Sequence, residues 1–130
     1  MAQVILHSNS NGGVSVTVPT GELSIDKVLQ KDCPAGAIIV DDSTLPQGAD
    51  AAFFDSWELN GSTVTVNFAK AQAIKLAQFN AKAVQEAQAR QLNTLAGIAN
   101  EVSDADFTAK LQAGRTAIAS ATTTAELVAI

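Results

Sequence analysis

The sequence predicts an α+β fold: a small β-rich module over residues 1–67, followed by a long alanine-rich helical hairpin over 68–130. Three observations carry this. The chain changes character near Phe68, from strand-like and turn-rich to almost entirely Ala, Gln, Leu and Asn. Residues 67–100 hold one glycine and no proline, and are dominated by residues that lose little rotamer freedom in a helix. Before the change, Asn60-Gly61 sits between two strand-like runs, the strongest short-range hairpin signal.

Val4–His7 reads as the first strand and Ser8–Gly13 as its turn, where glycine and asparagine tolerate positive φ. Val14, Val16 and Val18 alternate with Ser15 and Thr17, which describes a half-buried strand stopped by Pro19. Ser24 is placed as a helix N-cap, with Asp26 in the first turn. Ile25, Val28 and Leu29 give that helix an apolar face, and Cys33-Pro34 with Gly36 end it by Asp32. Ala37–Asp41 follows as a buried strand, then an acidic turn and Pro46. Phe54–Leu59 and Ser62–Phe68 form the second hairpin, through a type I′ turn at Asn60-Gly61. Val64, Val66 and Phe68 share one face of it; Trp57 and Leu59 share a face of the partner strand.

Residues 67–100 as one helix make a rod of roughly 50 Å. In its second half Leu92, Leu95, Ala99 and Val102 recur at helical spacing, a seam for an antiparallel partner. A break at 100–103 separates it from a second helix capped by Ser103 and Asp106, running to about Ser120 with Phe107, Leu111, Gly114 and Ile118 on one stripe. Thr123 and Glu126 form a further capping box before Leu127 and Ile130. The two helices differ in length, so the second is expected to cover only the distal half of the first. Ile74, Leu76, Phe79 and Val84 then need other cover, from the front module or from another copy or protein. The sequence favours the intermolecular option, because alanines at 69, 71, 73, 77, 81, 83, 87 and 89 allow close helix approach, although Gln78, Gln85 and Gln88 interrupt an ideal coiled-coil seam.

Composition narrows the function classes. Residues 1–66 carry eight acids and two bases, and residues 67–130 five acids and six bases. No basic field exists for phosphate, so nucleic-acid binding is not expected. No stretch approaches a membrane span of roughly 18 apolar residues, so no membrane association is expected. Cys33 is the only cysteine, which excludes an intrachain disulfide. The first residues lack a signal-peptide pattern, which predicts synthesis in the cytoplasm.

The chemistry-bearing residues are sparse. His7 is the sole histidine and reads as structural, and Cys33 reads as an idle thiol. Asp41-Asp42-Ser43, with Asp50 and Asp55, could offer oxygen ligands to Ca²⁺ but lacks EF-hand spacing; a solvated acidic loop is favoured. Gly12-Gly13 leads into a strand rather than a helix, unlike a phosphate loop. Lys70, Lys75, Lys82 and Arg90 read as a solvated face. Trp57, beside Phe53 and Phe54, reads as a core anchor; an exposed Trp57 would instead be a partner-binding hot spot. The expectation is a non-enzyme with no metal and no cofactor, using Ile74, Leu76, Phe79, Val84 and Trp57 as candidate interaction residues.

Two stretches resemble a known group. Leu23-Ser24-Ile25, Lys31-Asp32, Pro34, Gly36, Ile39-Val40-Asp41-Asp42, Leu45-Pro46, Phe53 and Trp57-Glu58 resemble a pattern in small proteins of tailed double-stranded-DNA bacteriophages. The strand, the alanine-rich helix after it, and the closing Thr123, Ala125, Glu126 and Leu127 resemble the same proteins, over nearly the whole chain. Where those proteins are Arg-rich in the helix, this chain carries Gln and Ala. The resemblance implies a phage origin and a virion or virion-assembly role; joined to the uncovered helix surface, it gives the expectation of a virion structural protein, tail- or fibre-associated, located in the virion and packing as a homo-oligomer or with other virion proteins. The alternative it implies is a tail or tail-fibre assembly chaperone that leaves the mature particle. A host-directed binding protein is a third class.

Overall fold

A computed structural model describes residues 2–10 and 12–130, so Asn11 of the first predicted turn lies outside the described residues. Among the described residues the fold is α+β: five short strands in the amino-terminal half, then long helices. The chain divides into two compact units, residues 1–68 and 69–130.

In the first unit, β1 (Gln3–Ser8) is the central strand of an antiparallel sheet ordered β2-β1-β3, with β2 at Val14–Thr17 and β3 at Ile38–Asp41. Asn9 closes the β1–β2 turn: its N–H donates to the Gly13 carbonyl at 3.0 Å, and its Oδ1 accepts from the Gly13 N–H at 2.9 Å. The register sets Val4 opposite Val40, and Leu6 opposite both Val16 and Ile38. One face of the sheet is therefore apolar except for Ser8 at the end of β1. It packs on the hairpin of β4 (Trp57–Asn60) and β5 (Thr63–Val66), around a core of Val4, Leu6, Val14, Trp57 and Val64. Ile5, on the opposite face, is fully buried, and α1 (Ile25–Asp32) contacts β1 and β3. Ser24 caps α1 by accepting from the Lys27 N–H.

Four local expectations are corrected in this unit. β3 is half-buried along its length rather than buried, and β2 ends at Thr17, leaving Val18 exposed. Residues Gly48–Ser56 form 3₁₀ turns, so β4 begins only at Trp57. The buried Ser56 hydroxyl donates to the Phe53 carbonyl and holds that turn closed. The second hairpin turns at Gly61-Ser62, not at Asn60-Gly61: Asn60 pairs with Thr63, and only Gly61 has positive φ, at 62°. Glycine first in a two-residue loop is the type II′ pattern. The physical reason is the register. It places Leu59 opposite Val64 and Trp57 opposite Val66, whereas a turn centred one residue earlier would set Leu59 against Ser62.

In the second unit, α2 (Phe68–Leu95) has 28 residues and α3 (Asp104–Ser120) has 17. α2 stops five residues short of the predicted end. Gly97, at φ 74°, donates to the Thr94 carbonyl at 3.2 Å, and Ile98 donates to the Asn93 carbonyl at 2.8 Å. That pair of bonds is a Schellman C-cap, which requires a left-handed residue where glycine stands. The connection then doubles back. Asn93 Nδ2 donates to Asn100 Oδ1 at 3.1 Å, and Asn100 Nδ2 to the Arg90 carbonyl at 3.4 Å. As a result α3 begins beside Arg90, which is ion-paired to Asp104. It ends beside Gln72, whose Nε2 donates to the Ile118 carbonyl at 3.1 Å and the Ala121 carbonyl at 3.4 Å.

The pairing expectation is thus corrected: α3 lies along α2 from the level of Arg90 down to that of Gln72, so it covers the proximal half as well as part of the distal one. Phe107, Leu111, Gly114 and Ile118 do face inward, with Ile118 buried and Gly114 seating the Phe79 ring. The predicted seam of Leu92, Leu95, Ala99 and Val102 is exposed, Leu95 at 78%. The last helix, α4 (Thr124–Val128), is capped by Thr123, while Glu126 reaches back to the Thr122 N–H at 3.0 Å. Its Leu127 is fully buried, and the Ile130 carbonyl accepts from Lys75 Nζ at 3.0 Å.

Two stability outcomes follow from this packing. Leu127→Ala removes a fully enclosed side chain and should cost ~2–5 kcal/mol. Leu95→Ala, solvent-facing within the single chain, should stay within about 0.5 kcal/mol in urea melts run at concentrations dilute enough to keep the chain unassociated. Equal costs would contradict the observed register. At Gly114, an added Cβ would overlap the Phe79 ring. Overpacking of about 1–3 kcal/mol should outweigh the helix-propensity gain of about 1 kcal/mol. Gly114→Ala should therefore lower the melting temperature, and Phe79→Leu in the same chain should recover part of the loss.

Candidate interaction surface

The sequence left five residues as interaction candidates, and the structure separates them. Trp57 is 6% exposed, with its Nε1 donating to the Asp50 carbonyl at 3.0 Å and its ring against Phe54. It is the core anchor of the first unit, and the hot-spot role conditional on exposure does not apply. Ile74 and Phe79 are half-buried. Leu76 and Val84 are exposed, Val84 at 56%.

Val84 belongs to a longer feature that the sequence reading missed. The contacts of Gln72, Phe79 and Arg90 define the side of α2 that faces α3. At 3.6 residues per turn, Ala77, Ala81, Val84, Gln88, Gln91 and Leu95 run along the opposite side, and all six are exposed. Their spacing alternates four and three, the repeat that keeps a stripe in register with a supercoiled neighbour. None is charged. Lys75, Lys82, Glu86 and Arg90 fall instead on the side or edges that face α3, and Lys70 stands on the outer line one repeat before Ala77. The outer side of α3 repeats the arrangement, with Ala105, Ala109, Gln112, Thr116 and Ser120 exposed and uncharged.

A surface helix ordinarily turns its charges to water and its apolar residues to the core. Here the last charge of α2 is drawn inward by local partners. Arg90 is 15% exposed, its guanidinium 4.7 Å from the centroid of the Phe107 ring and paired with Asp104. It is a packing residue, not part of a solvated face. Arg115 Nε donates to Asn80 Oδ1 at 3.1 Å, bridging the two helices.

The first unit offers less chemistry. His7 pairs with Ser15 across the sheet, and its buried Nδ1 has no hydrogen-bond partner among the described residues. Cys33 Sγ lies 4.0 Å from Thr17 Oγ1. Asp41 caps the 3₁₀ turn Asp42–Thr44 by accepting from the Ser43 N–H at 2.9 Å. That backbone bond, with the Ser43 hydroxyl, holds its carboxyl below the ordinary value of 3.8. Among the described residues no three His, Cys, Asp or Glu side chains are grouped to hold a metal ion. No helix among them is long and apolar enough to cross a membrane.

The chain matches no protein-family profile, no curated protein and no solved structure.

The Asp41 cap has a pH signature. A carboxyl whose folded-state pKa is depressed contributes stability above its unfolded pKa and loses it as pH falls through the folded value. The stability gap between wild type and Asp41→Ala in urea melts should therefore be constant near neutral pH and narrow below 3.8. A gap that widened in acid would reverse the assignment.

Proposed function

We propose that this protein is a non-enzymatic bacteriophage virion structural protein, associated with the tail or a tail fibre, whose helical hairpin packs against further subunits. The observation that supports this reading most strongly is the uncharged outer stripe of α2. Burying an exposed Val or Leu side chain is worth roughly 1.5–3 kcal/mol, and Val84, Leu92 and Leu95 stand exposed on or beside that stripe. The alanines between them leave room for a second helix at roughly 8 Å, the close end of helix packing. The phage assignment rests on the sequence pattern from Leu23 to Glu58 and its continuation into α2.

Light scattering after size-exclusion chromatography should give a mass above that of one chain. Val84→Glu with Leu95→Glu, both at exposed positions, should lower that mass without loss of helix content. An unchanged mass for that variant would remove the stripe from the interface. Mass spectrometry of purified virions of the phage carrying the gene should detect the protein at stoichiometric level. Presence during morphogenesis but absence from the particle would instead identify an assembly chaperone.

A further inference from the structure

A second surface on the helical unit has a different character. A groove of about 390 Å³ has Phe79, Ala83, Phe107 and Leu111 along its apolar floor, with Lys82 and Lys110 on its rim. At one end Lys75 is held by the Ile130 carbonyl. Both rim lysines are exposed, and neither has an ion-pair partner among the described residues. Glu86 is the single acidic side chain in the lining among the described residues. An apolar slot with two unanswered cations fits an aromatic or aliphatic side chain flanked by carboxylate.

The chain itself carries that chemistry elsewhere. Residues 1–66 hold eight acids against two bases. Among the aromatic side chains only Phe54 is exposed, at 42%, and it is followed by the exposed Asp55. Phe54 is not loose: its ring lies 4.8 Å from that of Trp57, so it is presented on a fixed base. A preordered aromatic loses little rotamer entropy on docking.

We propose that the lysine-rimmed groove of one copy receives the Phe54-Asp55 knob of a second copy, in a head-to-tail contact. This rests on the assembly reading above and names a second contact for it. Phe54 fills the slot between Phe79 and Phe107, while Asp55 meets Lys82 and Lys110. Two grooves cannot meet face to face, because like charges across an interface repel. The contact is therefore heterologous, and it propagates into an open array or closes as a ring. Because rim charges are screened within about 8–10 Å at moderate ionic strength, added salt weakens it.

Sedimentation equilibrium on the full chain tests this by charge exchange. Lys82→Glu with Lys110→Glu should weaken self-association about tenfold or more, as should Asp55→Lys alone. An equimolar mixture of the two variant proteins should restore it, since each reversed surface then finds its complement. Far-UV circular dichroism should show wild-type helix content in both, all three positions being exposed. A wild-type protein that is monomeric at every concentration, variants that associate as wild type does, or a mixture that fails to recover would each overturn the proposal. Association that survives both charge reversals but is lost in Val84→Glu with Leu95→Glu would overturn this contact and leave the stripe reading standing.

Discussion

The helical unit depends on where α2 stops. Gly97 takes a left-handed conformation that would cost an ordinary residue roughly 1–2 kcal/mol, and two reversed hydrogen bonds to Asn93 and Thr94 close the helix there. The eight residues after Leu95 then run backward, tied by Asn100 to the Arg90 carbonyl. This return sets the starting level of α3. Starting at Arg90, α3 reaches Gln72, and α4 brings Ile130 to Lys75. Had α2 continued to Asn100, α3 would begin more than a turn further along and leave Phe79 without Gly114 opposite it.

That register also decides what is left uncovered. The inner side of α2 is occupied by a mixture in which polar groups are locally answered: Gln72 by two carbonyls, Asn80 by Arg115, Arg90 by Asp104 and Phe107. An Arg stem packed against an aromatic ring contributes through area as well as charge. The exposed ion pair to Asp104 adds little by itself, about 0–1 kcal/mol; its value lies in positioning the first turn of α3. With Arg90 committed inward and Lys75, Lys82 and Glu86 on the edges, the outer line from Ala77 to Leu95 has Ala, Gln, Val and Leu. An uncharged solvent-facing line, against the usual helix polarity, is the reason to read this unit as half of an interface.

Much of the architecture was legible in the chain because it is encoded locally. Ser24, Ser103 and Thr123 announce helix starts through side-chain caps, and each accepts the bond expected of it. The alternation of Val14 and Val16, and of Val64 and Val66, marks inward faces correctly. Local signals fail where two of them compete. Asn60-Gly61 satisfies a turn rule, but the cross-strand pairs of Trp57 and Leu59 move the loop by one residue. Gly97 was legible as a C-cap, yet a run of good helix formers on both sides masked it. The inner and outer sides of α2 were not legible at all. Periodicity shows that Leu92 and Leu95 share a stripe, but with Ala and Gln all round the helix it does not say which stripe turns inward. That is decided by a long-range pairing, 90 with 104 and 72 with 118, which no window of sequence contains. Arg90 was missed for the same reason: its burial depends on Phe107, seventeen positions away.

The two proposed surfaces differ in symmetry, and this bears on what they could build. A stripe of uncharged residues is self-complementary, so it can meet its own copy about a two-fold axis and close a dimer. A basic groove and an acidic knob are complementary only to each other, so that contact carries direction. A chain with one closed contact and one directional contact can join paired units into an extended array, while either contact alone ends in a dimer, a ring or a single file. The separation of the charges supports the same logic: an acidic amino-terminal half and a near-neutral helical half keep stripe-mediated pairing free of like-charge repulsion, because the stripe carries none. An assembly organised in this way would be sensitive to salt along one direction only, that of the groove.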